Sequence, residues 1–296
     1  MYHLLGRRAC HDILKAIAEP YLEGRAPPGF VEWKHAYQRY LSRRQPTLPG
    51  GSPAGPIYVD DPRTEDALIA AFLAESPLDD LERYRDRTFF QTGPEHRARI
   101  SADLEHLRGA VERFRNIDPG FWGAFDLFIN LVLCPVSRYS RGGSDSACIG
   151  VLYLSRTREY SLRDLYEILV HEFTHTAMFC DELTNPHYGD ESLMPDPAHW
   201  ARATISGLQR PLDKVIHSMV ISTEILRHRE EVLGHDGETV IHPPTPVLAN
   251  SVLLTIQSLL GLAERDRLLT PRSLELMERC APVAARLLGA PSHVHA

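Results

Sequence analysis

The sequence predicts an α+β protein that is mainly helical and carries a small sheet. Long segments place apolar residues on one side at helical spacing and charged residues on the other, as in residues 94–116. The short apolar run at residues 148–155 is typical of a strand. With 43% hydrophobic and 24% charged residues among 296, the chain has enough apolar surface for a folded core, which excludes collagen-like and fully disordered proteins.

Residues 1–118 are expected to form a helical N-terminal region. Apolar residues recur at helical spacing in the first 44 positions, and two further helices are predicted at residues 64–75 and 94–116. The Pro/Gly-rich segment 45–62 separates them as a long loop, because proline and glycine do not continue a regular helix.

Composition changes at Pro119, and residues 119–296 are predicted to form the catalytic domain. The apolar, aromatic segment 121–136 indicates a buried element of either type, and 137–147 a polar Gly/Ser loop. Ser161 and Asp164 match a capping box that opens a helix reaching about residue 183. The remaining predicted elements are a polar loop at 184–199, a helix from Pro211 to Gly234, and helices at 246–263 and 271–289.

Charge and cysteine usage narrow the functional classes. The formal net charge of −7 disfavours a general nucleic-acid binder, and no segment approaches the ~20 apolar residues that span a bilayer. The five cysteines are scattered and form no CxxC pair, which favours reduced thiols. The first residues lack the pattern of a signal peptide. We therefore expect a cytoplasmic protein without nucleic-acid or membrane partners.

The sharpest motif is His171-Glu172-Phe173-Thr174-His175, an HExxH within the predicted helix. Histidines at positions i and i+4 project from one helix face and can bind one divalent metal. Glu172 points to the side, where a carboxylate can act on a metal-bound water. The competing interpretation, two hydrogen-bonded core histidines, is less favoured because an apolar mid-helix segment surrounds the motif.

A third metal ligand has to come from another element. The metzincin continuation is absent, since Met178 and Asp181 stand where its glycine and histidine would be. On the helix after Pro211, spacings of seven and eleven place His217, Glu224 and His228 along one stripe. We predict His217 as the ligand and keep Glu224, the ligand type of gluzincin peptidases, as the alternative. His228 is left to support the site or face solvent.

Three segments carry a resemblance to a known family: RGGSDSACIGVLYLS, LYEILVHEFTHTAMF, and RPL followed after four residues by His217. Together they resemble the HEXXH-motif family of bacterial peptide natural-product clusters, over about residues 141–230. The resemblance implies a peptide β-hydroxylase that uses Fe(II), α-ketoglutarate and dioxygen on a ribosomally made peptide. We accordingly expect a zincin-like core in which the small sheet packs on the HExxH helix.

The predicted residues can be assigned roles in such an oxygenase. His171, His175 and His217 would hold the iron and leave open coordination positions. Arg210 would bind a carboxylate of α-ketoglutarate, and Glu172 would orient a ligand. The same histidines suit Zn²⁺, so a zinc metallopeptidase with Glu172 as general base is the alternative. A non-catalytic helical binding module is the third hypothesis.

Overall fold

The computed structural model describes residues 1–23, 28–73, 90–91, 93–137, 140–237 and 239–289. This part of the chain is mainly helical with a small mixed sheet, which confirms the predicted α+β class. It divides into two compact units. The described residues of 10–73 and 90–180 form the central unit, and those of 1–9 and 181–289 form the terminal unit. The boundary predicted at residue 118 falls inside the central unit. In the described chain, no helix has both the length and the apolar character needed to cross a membrane.

In the described residues, helices and short strands follow one another along the sequence. The helices are α1 (Tyr2–Leu5), α2 (Arg7–Ala18), α3 (Phe30–Arg44), α4 (Pro62–Phe72), α5 (Arg97–Ile117), α6 (Pro119–Phe128), α7 (Leu162–Glu182), α8 (Leu212–His228), α9 (Thr245–Leu260), α10 (Arg265–Leu268) and α11 (Pro271–Leu287). The strands are β1 (Ile57–Tyr58), β2 (Phe90–Gln91), β3 (Leu131–Leu133), β4 (Val136–Ser137), β5 (Gly142–Ser144), β6 (Val151–Leu154), β7 (Ala201–Arg202) and β8 (Gln209–Arg210).

The main sheet of the central unit has four strands in the order β1-β3-β6-β5. The first three are parallel, whereas β5 runs antiparallel to β6 and forms one edge. Every residue of β3 and β6 is buried, which explains their unbroken apolar sequences. The predicted strand 148–155 is therefore an inner strand and is shorter than expected, because Ser146–Cys148 form a 3-10 turn before it. The predicted loops 45–62 and 137–147 contain the short strands β1 and β5.

The apolar segment 121–136, for which the sequence left helix and strand open, contains most of a helix and then a strand. Asp118 accepts a hydrogen bond from the Phe121 backbone N–H (3.0 Å) and Pro119 follows as the first helical residue, so α6 begins here. The chain leaves the helix at Ile129 and enters β3. Buried rings of α6 pack on one another and on α5 and α7: Phe114, Phe121, Trp122, Phe125, Phe128, Tyr166 and Phe173.

Helix boundaries with local sequence signals agree with the predictions. Asp164 accepts hydrogen bonds from Ser161 and the Asp164 N–H donates back to Ser161 Oγ (3.1 Å), which confirms the predicted capping box of α7. In the terminal unit, α8 continues as a π-helical turn, Arg229–Leu233, and ends at Gly234 with φ of 73°. A positive φ is the conformation that glycine adopts without strain, so the predicted stop is confirmed. Helices α8, α9 and α11 pack against one another there.

A buried lysine joins α3 to the end of α6 inside the central unit. Lys34 is fully buried, and its Nζ donates to the carbonyl oxygens of Leu127 (3.0 Å) and Ile129 (2.7 Å). These carbonyls lie at the C-terminal end of α6, where helices leave acceptors without intrahelical donors. Burial lowers the pKa of Lys34 to about 7, although the charge of Asp126 raises it in part.

The contribution of Lys34 to the stability of the folded protein is expected to rise with pH between about 7 and 10. In this range the unfolded chain, whose lysine pKa is near 10.4, binds a proton that folded Lys34 does not bind. The contribution of Lys34 is at most about 1.4 kcal/mol per pH unit. Lys34→Met should remove this slope from urea unfolding free energies measured across the range, whereas Lys15→Met, on the exposed side of α2, should keep it. Equal slopes in wild type and Lys34→Met would contradict the assignment.

Candidate metal centre

Helix α7 is buried on all sides except along one stripe. Between Asp164 and Asp181, all residues are buried except His171, His175 and Phe179, which are partly exposed. Successive members of this stripe are four residues apart, so their side chains lie above one another on one helix face. The rings of His175 and Phe179 are stacked, with centroids 5.9 Å apart and planes at 19°. The two histidines of the motif therefore share a partly exposed face of an otherwise buried helix.

The two imidazoles have the separation of a chelating pair. Their ring centroids lie 5.1 Å apart. Two imidazoles on one metal, at ordinary metal–nitrogen distances, have centroids about 4.5 to 5.2 Å apart for ligand angles of about 90° to 109°. The separation of the two rings is thus compatible with both of them binding one divalent transition metal.

Glu172 lies against the edge strand of the sheet and is only 3% exposed. Ser144 Oγ, in β5, donates a hydrogen bond to Glu172 Oε2 (2.8 Å). A Cβ atom at Gly142 would lie 3.0 Å from Glu172 Oε1, so β5 passes too close for a larger residue to fit without displacing its neighbours. Burial raises the pKa of Glu172 to about 8, and the hydrogen bond from Ser144 partly opposes this rise. A buried carboxyl group is thereby held beside the first histidine of the motif.

Strand β5 has backbone N–H and C=O groups that face away from β6, at the edge of the sheet. The Ser155 N–H donates to the carbonyl of Arg141 (2.8 Å), and Gly143 pairs with Tyr153 in the same register. In an antiparallel ladder, alternate residues direct their backbone groups to opposite sides, so those of Gly142 and Ser144 face away from β6. The Gly142 carbonyl accepts a hydrogen bond from Ser140 Oγ (2.6 Å). The edge strand beside the motif helix is thus β5.

His217 lies in the terminal unit and pairs with the last residue of α7. It is 3% exposed, and its Nε2 lies 2.8 Å from Glu182 Oε1. The hydroxyl of Tyr188 donates to the same oxygen (2.6 Å). Burial alone would raise the pKa of Glu182, but its interaction with His217 and the hydrogen bond from Tyr188 hold it below its usual value. The predicted cosubstrate residue, Arg210, is partly exposed in β8, just before α8.

Glu224, the alternative ligand, is engaged by another part of the terminal unit. Its fully buried carboxylate accepts hydrogen bonds from the amino group of Met1 (2.6 Å) and the backbone N–H groups of His3 (2.7 Å) and Leu4 (3.0 Å). Burial opposes ionisation, but the charge of the amino group and the pairing with His228 hold the pKa of Glu224 well below its usual value. The carboxylate thus anchors α1, and His228 Nε2 lies 3.6 Å from it. The alternative with Glu224 as a metal ligand is not supported by these contacts.

Two residues that the sequence analysis did not assign contact the predicted site residues: Ser144 holds Glu172, and Glu182 holds His217. Glu182 follows His175 by seven residues, which is two helical turns along α7. This spacing places Glu182 on the same helix face as His175 and is visible in the sequence. Ser144 lies in a Gly/Ser segment whose pattern is equally typical of a plain turn.

No protein-family model matches the sequence, and no curated protein matches it either. The residues and their geometry are therefore the basis for a functional conclusion.

Proposed function

We propose that the protein is a metal-dependent enzyme that hydroxylates a Cβ position of a peptide, using Fe(II), α-ketoglutarate and dioxygen. The observation that carries the proposal is the His171–His175 pair, with ring centroids 5.1 Å apart on the partly exposed stripe of α7. Together with a third ligand, these two neutral imidazoles would form a donor set that suits non-haem iron. When bound, iron with α-ketoglutarate and dioxygen supplies the oxidation of an unactivated C–H bond.

The environment of Glu172 favours an oxygenase over a zinc peptidase. In a peptidase this carboxylate has to reach a water molecule and accept its proton. Here it is almost fully covered and accepts a hydrogen bond from Ser144 on β5. Such a carboxylate is suited to orienting the motif helix and its ligands.

The edge strand β5 is a docking site for an extended peptide in this proposal. The backbone groups of Ser144 and the N–H of Gly142 can pair with a peptide strand, as in other cases of strand addition to a sheet edge. A peptide bound there would lie beside the carboxylate of Glu172, because Ser144 and Gly142 both approach that side chain. Arg210 is proposed to bind a carboxylate of α-ketoglutarate through its guanidinium group.

The test is an anaerobic loading of tag-free protein with Fe(II), followed by α-ketoglutarate, air and a random-sequence peptide library. We expect succinate that depends on iron and air, and library peptides that gain the mass of one oxygen atom. The His171→Ala variant should form neither product. Absence of succinate together with peptide cleavage by zinc-loaded protein, unaffected by α-ketoglutarate, would establish the peptidase instead.

A further inference from the structure

A cavity of about 300 Å³, open to solvent, lies in the central unit between α3, the loop after it, and the starts of β3 and β6. Part of its wall is apolar and consists of Leu41, Leu48, Ile149 and Val151. None of the described residues that line the cavity carries a charge. A charged ligand would therefore lie beside these walls without an opposite charge, which is costly. The cavity suits an uncharged ligand.

Two side-chain amides at this cavity have a buried polar atom without a hydrogen-bond partner in the described chain. These atoms are Gln38 Nε2, on α3, and Asn130 Oδ1, at the residue before β3. Asn130 is only 5% exposed. The large majority of buried polar side-chain atoms in proteins have a partner, and an unpaired atom lowers stability. The cavity thus has one donor and one acceptor that a single ligand can satisfy.

Gly51, in the loop after α3, lies over both of these atoms. A Cβ atom at Gly51 would lie 2.8 Å from Gln38 Nε2 and 2.9 Å from Asn130 Oδ1. The donor and the acceptor therefore converge on one point, where only the bare backbone of a glycine fits. The neighbouring Gly50 is exposed, and two adjacent glycines allow the loop to change conformation at little steric cost. A shift of this glycine pair would uncover both amides.

The wall formed by α3 is anchored on both sides of Gln38. One helical turn before it, Lys34 Nζ donates to the carbonyl of Ile129 (2.7 Å). Two turns after it, Gln45 donates to the carbonyl of Ile149 (2.8 Å) and accepts from the N–H of the same residue (2.9 Å). These contacts fix α3 against the starts of both strands. The Gln45 contact also shows a primary carboxamide that pairs with an amide through both of its polar atoms.

We propose that this cavity is a binding site for a small uncharged molecule with a primary carboxamide group. Gln38 Nε2 donates to the carbonyl oxygen of the ligand, and the NH2 group of the ligand donates to Asn130 Oδ1, while the Gly50–Gly51 pair moves aside. A primary carboxamide carries an acceptor and a donor on neighbouring atoms, so one group satisfies both side chains. A short alkyl chain on the ligand packs against the apolar walls. Binding here requires no metal and is independent of the proposed metal centre.

The experiment titrates nitrogen-15-labelled protein with propionamide and with three molecules of similar size, which are propionate, propylammonium and 1-propanol. The side-chain NH2 signals of Gln38 and Asn130 report binding in NMR spectra, and the variants Gln38→Met and Asn130→Leu assign them. In each variant the remaining amide reports the affinity. Gln257→Met, at an exposed position of α9, is the matched control. Thermal unfolding should occur near the wild-type temperature, because neither substitution removes a hydrogen bond made within the described chain.

We expect propionamide to shift both signals at concentrations at which the other three molecules do not. Its affinity should fall about tenfold in Gln38→Met and in Asn130→Leu, because each variant loses one of the two hydrogen bonds to the ligand. The affinity should be unchanged in Gln257→Met. Equal shifts with 1-propanol or with a charged probe would overturn the carboxamide as the ligand. Signals that do not move with propionamide up to its solubility limit, or wild-type affinity in both cavity variants, would overturn the site itself.

Discussion

Replacing His171 or His175 with alanine is expected to weaken binding of a divalent metal by more than about 100-fold and to abolish activity. Structural zinc sites of about four ligands bind with roughly 10 to 16 kcal/mol, so each ligand contributes about 3 kcal/mol. Both imidazoles lie on one stripe with the separation of a chelating pair. Removal of either ring leaves the other without a chelate partner. Metal content after dialysis of tag-free protein, together with calorimetric titration, measures the loss.

His106→Ala provides the matched control for these variants. His106 is exposed on α5 and belongs to the same unit as the motif, so its removal tests whether any histidine loss affects metal content. All three variants should unfold near the wild-type temperature, because His171 and His175 are only partly buried. Equimolar metal in dialysed His171→Ala protein would show that the motif is not the binding site. The tail histidines, His293 and His295, lie outside the described residues, and their replacement in every variant removes them as background binders.

The features that the sequence predicted correctly depend on local interactions. The capping box of Ser161 and Asp164 and the stop at Gly234 involve residues a few positions apart, so their pattern is visible in the sequence. The HExxH spacing likewise places two rings on one helix face. Asp118 and Pro119 form an equally local pattern that indicates the start of α6. The change from helix to strand later in this segment is not visible in the sequence, because both elements are apolar.

The features that the sequence did not predict depend on residues far apart in the chain. Gly142–Ser144 lacks apolar alternation, and it is a strand because β6 supplies its ladder partners. Glu224 has the spacing of a ligand on its own helix, but its partner is the α1 segment more than 200 positions earlier. The residue that pairs with His217 lies 35 positions away, beyond a loop. Helical periodicity places each side chain on a face and does not show which element covers that face.

Asp181 is the centre of a buried polar cluster in the terminal unit. Its fully buried carboxylate accepts hydrogen bonds from Arg272 Nε (2.8 Å) and Nη2 (2.9 Å), at the start of α11. The ring of His187 (2.8 Å) and the amide of Asn185 (2.9 Å), both in the loop after α7, bind the same group. Burial alone would raise the pKa of Asp181, but His187 and Arg272 together lower it below its usual value. The carboxylate thus joins the end of α7, the following loop and α11.

Asp181→Ala is expected to destabilise the protein by about 3 to 5 kcal/mol, because removal of one partner leaves the buried His187 and the guanidinium of Arg272 without their acceptor. Because the pKa of Asp181 is lowered in the folded protein, its contribution is fully present above the unfolded value of about 3.9 and is lost as the pH falls through the folded value. The stability difference between wild type and Asp181→Asn should therefore shrink in acid. Urea unfolding at neutral and acid pH measures both effects.

Asp266→Ala, at a 91% exposed position, should leave the unfolding midpoint unchanged. A midpoint for Asp181→Ala equal to that of Asp266→Ala would show that the cluster does not stabilise the folded chain.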